Sequence, residues 1–182
     1  MSEFLTSPSA FVGGACFTAI LLAVSISDIR SRRIPNLAVV GLALFGVAYS
    51  VSVLSFGSGL ARAGLGLLVG FALWIPFYAL RMLGAGDVKL FAAAGCWLAP
   101  SHVLGAAVVS ALAGGVLSVI GLVLAHGFGL TTLRVAHGLS DPRTLATPLA
   151  IPAGRKTLPY GLAMTVGLLV TAWCPQWLGL GR

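Results

Sequence analysis

The stretch Gly84-Ala-Gly-Asp87-Val-Lys-Leu-Phe-Ala-Ala-Ala-Gly-Cys-Trp-Leu-Ala99 decides how this chain folds. From Val88 to Ala99 it is apolar except for Lys89, but it is short. A helix of that length covers only about 18 Å at ~1.5 Å per residue, against a hydrocarbon core of about 30 Å. Five further apolar stretches are long enough to cross a bilayer, or nearly so. They run approximately Phe11–Ser27, Pro35–Leu54, Ala63–Leu80, Val103–Ala125 and Pro159–Trp177. Whether the chain crosses five times or six turns on the short one.

A membrane is where such a composition belongs. Of the 182 residues, 58% are hydrophobic and 8% charged, whereas soluble domains carry about 25% charged residues. A surface so poor in charge must face lipid over most of its area. We therefore expect one all-α integral membrane domain over residues 1–182. The net charge of +7 reads as topology, since basic residues are retained on the cytoplasmic side. A nucleic-acid partner would need a basic soluble face with interleaved aromatics, and none is evident. The Met-Ser-Glu-Phe start lacks the basic n-region of a cleavable signal peptide, so the first apolar run is expected to stay as a helix.

The basic residues also choose between five crossings and six. If Val88–Ala99 crosses, then Arg30, Arg32, Arg33, Arg81, Lys89, Arg134, Arg143, Arg155 and Lys156 share one side, and only Arg62 and Arg182 lie opposite. If it does not cross, the loop at about 126–158 takes its four basic residues to the other side. The positive-inside bias favours six transmembrane helices with a short fourth helix and both termini outside the cytoplasm. The loop is then cytoplasmic, and its segment Thr131–Leu139 could form a short interfacial helix. Trp97, Trp173 and Trp177 fall near the outer interface, where aromatic belts lie.

Only four acidic residues are present: Glu3, Asp28, Asp87 and Asp141. Glu3 is in the N-terminal tail and Asp141 in the Gly- and Pro-rich loop. Asp28 closes the first apolar stretch and Asp87 opens the short one. Two full spans separate them, so they return to the same side. Taken singly, Asp28 could be a juxtamembrane acid neutralised by Arg30, Arg32 or Arg33, and Asp87 an N-cap. Taken together, two of four acids lie at one depth, one of them beside a Gly-x-Gly turn and a span too short for the bilayer. A carboxylate drawn below the membrane surface is costly and usually functional. Gly84 and Gly86 would let a substrate backbone approach closely, although Gly-x-Gly by itself is also an ordinary interhelical turn.

These residues resemble the type IV prepilin peptidases, GxGD membrane aspartyl proteases. Asp28 followed by Ile34-Pro35-Asn36 resembles that family's first catalytic block, Gly84-Ala-Gly86-Asp87-Val-Lys89-Leu90 its second, and Pro159-Tyr160-Gly161 a third feature. The resemblance implies a membrane aspartyl endopeptidase of the bacterial inner membrane. Its substrate would be a prepilin or pseudopilin, cut at the cytoplasmic face between basic leader and hydrophobic helix. Asp28 and Asp87 would be catalytic, and pilus assembly machinery a possible partner. Only 27 residues precede Asp28, so the resemblance is to the short form, without the cysteine-containing methyltransferase region, as in tight-adherence (Flp) pilus systems.

Hydrolysis by two carboxylates needs one ionised, to take a proton from water, and one protonated, to donate to the carbonyl oxygen. Asp28 at a helix C-terminus and Asp87 at a helix N-terminus near Lys89 suggest Asp87 as resting base and Asp28 as resting acid, unless Arg30, Arg32 and Arg33 reverse the order. Pro35 suits the first turn of the second helix. Asn36 could bond near Asp28 or help to cap that helix, and Tyr160 could line the site or anchor at the interface. Cys16, Cys96 and Cys174 form no metal or redox motif and are expected in the core or facing lipid. His102, His126 and His137 have no ligand spacing and are expected at interfaces. No metal and no cofactor is expected. A proton-coupled transporter also uses intramembrane acids, but it favours inverted repeats and midplane sites. A non-catalytic assembly factor is the third alternative.

Overall fold

The computed structural model describes residues 8–31, 34–126 and 160–174. They form six helices: α1 (Pro8–Ser31), α2 (Asn36–Val53), α3 (Phe56–Ala79), α4 (Ala85–Gly95), α5 (Pro100–His126) and α6 (Tyr160–Trp173). No strand occurs among the described residues. Two compact units divide the chain, residues 1–113 with 159–182, and residues 114–158. Within the second unit, residues 114–126 continue α5 as helix. The expected interfacial helix at Thr131–Leu139, most of the loop, and Trp177 lie outside the described residues.

Helices α1, α2, α3 and α5 are long and apolar enough to cross a membrane. The α6 helix is apolar but has only 14 residues. Large apolar side chains point outward, with Leu37 84% and Phe56 74% exposed. In lipid such residues gain nothing by moving inside, so close packing and hydrogen bonds must hold the helices together. The interior accordingly uses small residues. Along α3, Gly59, Ala63, Gly66 and Gly70 are buried. A Cβ at Gly66 would strike the backbone carbonyl of Gly95, and a Cβ at Gly95 that of Gly66. The α3 and α4 backbones therefore touch directly, which no side-chain-bearing residue at these positions allows.

The short helix α4 is the centre of the first unit. It packs on α2, α3 and α6, and every residue from Leu90 to Leu98 is buried. An apolar helix enclosed on all sides need not match a bilayer's thickness, because protein surrounds it instead of lipid. The Val88–Ala99 stretch is helical only to Gly95 and then turns. Its last carbonyls are satisfied by neighbours: Ser50 Oγ donates to Cys96 O at 2.8 Å, and an Arg62 guanidinium nitrogen donates to Trp97 O at 3.4 Å. Arg62 thus belongs to the packed end of α4 as well as to the charge bias.

Trp97 differs from expectation. It is buried, stacked on Tyr49 with ring centroids 5.3 Å apart and tilted against Phe17 at 5.3 Å. Its Nε1–H donates to Leu42 O at 2.8 Å. The indole found its polar partner within the helix bundle, so it is a core residue and not an interfacial anchor. Trp173 is half-buried, with Nε1–H donating to Thr18 Oγ1 at 3.0 Å. Cys16 is exposed, Cys96 buried and Cys174 half-buried.

Candidate functional site

Each candidate carboxylate accepts a backbone N–H at the start of a helix. The α1 helix continues one turn past the apolar stretch, to Ser31, so Asp28 sits within its last turn rather than beyond it. Ser31 Oγ donates to Ser27 O at 2.7 Å in that turn. Asp28 is 8% exposed. Its Oδ2 accepts the backbone N–H of Gly161 at 3.1 Å. Gly161 is the second residue of α6 and one of the positions whose N–H has no partner within the helix. Asp28 satisfies that orphan donor from another helix.

At Gly161 any side chain would have to displace the Asp28 carboxylate. A Cβ there would stand 2.7 Å from Asp28 Oδ2 and 3.1 Å from its Cγ. The first turn of α6 is held in place by two buried hydroxyls. Ser25 Oγ donates to Thr165 Oγ1 at 2.7 Å, and Thr165 Oγ1 donates to Gly161 O at 2.9 Å. Neither Ser25 nor Thr165 stood out in the sequence. Their signal was spacing alone: Ser25 precedes Asp28 by three residues and Thr165 follows Gly161 by four, so each shares a helix face with that candidate residue.

Asp87 is set by local chain geometry. The α3 helix ends in a Schellman motif, with Arg81 N donating to Tyr78 O at 2.9 Å and Met82 N to Phe77 O at 3.0 Å. Arg81 occupies the left-handed position (φ 58°) that usually takes glycine,. After the turn, Gly84 is the N-cap of α4 in an extended conformation, and Asp87 is its third residue. Asp87 Oδ2 accepts the Gly84 N–H at 3.3 Å. The reverse half of a capping box is missing because Gly84 has no side chain. Asp87 is thus partly a helix cap, as its position alone suggested, but half-buried.

Helix ends therefore no longer separate the two carboxylates. Asp28 lies at the C-terminal turn of α1, but also against the N-terminus of α6. Asp87 lies at the N-terminus of α4. Each accepts one backbone N–H at a positive helix end, so for Asp28 the start of α6 opposes the negative end of α1.

The other expected site residues divide. A Cβ at Gly86 would meet only the Ile34 side chain, at 3.4 Å or more, which brings the first block against the second. Pro35 is the N-cap of α2, and Pro35, Asn36, Gly84 and Lys89 are exposed. Tyr160 is half-buried at the first position of α6. Pro159, Arg32 and Arg33 lie outside the described residues. Among the described residues, no three of His, Cys, Asp and Glu come together as a metal cluster.

The sequence model of the type IV leader peptidase family matches residues 15–119, a span that holds both Asp28 and Asp87. No curated protein and no solved structure matches the chain.

Proposed function

The chain belongs to the type IV leader peptidase family, and on that premise we propose that it is a GxGD aspartyl endopeptidase using Asp28 and Asp87 as its catalytic pair. Its substrates are prepilins or pseudopilins, such as those of tight-adherence pili, and it removes their basic leader. The cut falls at the cytoplasmic face of the bacterial inner membrane, which the chain crosses six times with both termini outside. What supports this reading is that Asp28 and Asp87 both lie in the matched span, and that each accepts a glycine N–H at the start of a helix.

The chemistry follows from two carboxyl groups that share a proton more easily than both ionise. The ionised one takes a proton from a water molecule as that water attacks the scissile carbonyl carbon. The protonated one gives its proton to the carbonyl oxygen. When the tetrahedral intermediate collapses, the C–N bond breaks, the leaving nitrogen takes the proton that the first carboxylate drew from water, and the second carboxylate recovers its proton from the gem-diol hydroxyl, so the pair returns to its starting state. The Gly161 and Gly84 N–H groups hold the two carboxylates without contributing protons of their own.

Asp28→Asn and Asp87→Asn are the test. An amide keeps the shape and can still accept the Gly161 or Gly84 N–H, but it cannot act as acid or base. Each variant should insert normally and lose at least about 10²-fold in prepilin cleavage, measured by gel shift in membranes at matched enzyme levels. The double variant should be no worse than either single one, because the pair acts as a unit. Substantial processing by either single variant would remove that aspartate from the mechanism.

A further inference from the structure

We propose that Ser25 and Thr165 are positioning residues of this site: their hydrogen-bonded hydroxyls lock the first turn of α6 onto α1 and so aim the Gly161 N–H at Asp28. This rests on the peptidase reading above and adds two residues to it. Both side chains are buried, at 3% and 2% exposure, where a hydroxyl is held only if hydrogen-bonded.

The direction of each bond is set by the partners. Gly161 O can only accept, so Thr165 donates to it (2.9 Å) and must accept from Ser25 (2.7 Å). The chain of bonds runs from α1 to α6 and ends on the residue whose N–H returns to α1 at Asp28 (3.1 Å). The two connections are three residues apart on α1, Ser25 and Asp28. On α6 they are four residues apart, Gly161 and Thr165. They are therefore one helical turn apart on both helices. Together they fix the sliding and the rotation of one helix against the other. A Thr that bonds back to the fourth preceding carbonyl serves no purpose for helix stability. Here it turns its oxygen into a defined acceptor for Ser25. The Gly161 contact leaves no slack, since even a methyl group at that residue would press on the carboxylate. A small slip of α6 along α1 would therefore move the Gly161 N–H off Asp28.

The test uses full-length protein in detergent or membranes, with Thr165→Val, Thr165→Ser, Ser25→Ala and the Ser25→Ala/Thr165→Val pair. Valine keeps the shape of threonine without its hydroxyl; serine keeps the hydroxyl. Per folded molecule, Thr165→Val should lower kcat for prepilin about fivefold or more, with KM within about twofold. Thr165→Ser should recover most of that loss. The double variant should be no worse than the worse single one. Loss of stability alone would make the two singles additive and would move neither kcat per folded molecule nor the serine rescue. A second measurement does not depend on activity: hydrogen exchange of the Gly161 amide in protein labelled at glycine nitrogen. Thr165→Val and Asp28→Ala should each speed it about fivefold or more, the equilibrium worth of one buried hydrogen bond. Unchanged Gly161 exchange in Thr165→Val, or kcat per folded molecule within twofold of the parent, overturns the positioning role. If the parent itself cleaves no prepilin while the exchange effects appear, the peptidase reading fails and the clamp stands.

Discussion

At the scale of single residues, the site is defined by what each carboxylate touches. Asp28 meets a glycine from a helix 133 positions further along the chain, and Asp87 a glycine three residues before it. Gly161 should respond differently from Gly86. A methyl group at Gly161 stands 2.7 Å from the Asp28 carboxylate, whereas one at Gly86 finds ordinary contact with Ile34. Gly161→Ala should therefore reduce cleavage about tenfold or more by displacing Asp28, with a stability loss of about 1–3 kcal/mol from overpacking. Gly86→Ala should leave stability within about 1 kcal/mol, because a helical alanine is intrinsically favoured over glycine. Parallel cleavage and thermal-unfolding measurements on the two variants check this. Parental activity in Gly161→Ala would mean that the Gly161 contact has no bearing on the chemistry.

At the scale of elements, α3 shows how a membrane helix uses glycine on one face and not the other. Gly66 lies against the Gly95 backbone, whereas a Cβ at Gly64 meets nothing within 4 Å. Gly66→Ala must push α3 from α4 and should cost about 2 kcal/mol or more, the scale of an overpacked interior. Gly64→Ala adds a methyl group on the outer face and should stabilise by about 0.5–1 kcal/mol. Denaturant or thermal unfolding in a single detergent measures both. The same sign for the two variants would show that the α3–α4 contact does not hold in the membrane. On the proposed mechanism this contact also bears on function, since α4 carries Asp87 and packs on α3.

At the scale of the whole molecule, the predicted topology can be tested without any enzymology. With six crossings, a reporter fused after Leu54 lies outside the cytoplasm and one fused after His137 inside. Phosphatase and fluorescent-protein fusions should report those opposite sides, and the same side for both would leave the short fourth stretch uncrossed. The enclosure of α4 by α2, α3 and α6 gives the reason an 11-residue helix can serve at this place. About 16 Å of helix would leave polar backbone in lipid if it stood alone. Inside the bundle, Ser50 and Arg62 take up its final carbonyls.

The sequence by itself determined the all-helical character, the approximate apolar stretches and the two aspartates proposed as the catalytic pair. Hydropathy and charge are properties of local composition, and a chain with four acids leaves few candidates. Tertiary structure decided what no local pattern carries. Trp97 belongs to the core because Leu42 O, 55 residues away, takes its N–H. Arg62 caps a helix it does not belong to. The helix-end logic for the two carboxylates changed because α6 brings its own N-terminus to Asp28. Ser25 and Thr165 are ordinary small polar residues in a sequence, and only the packing of α1 on α6 turns them into a hydrogen-bonded clamp. Local composition reports what each segment prefers; which helix end faces which side chain is a property of contacts between segments, and it exists only once they are packed.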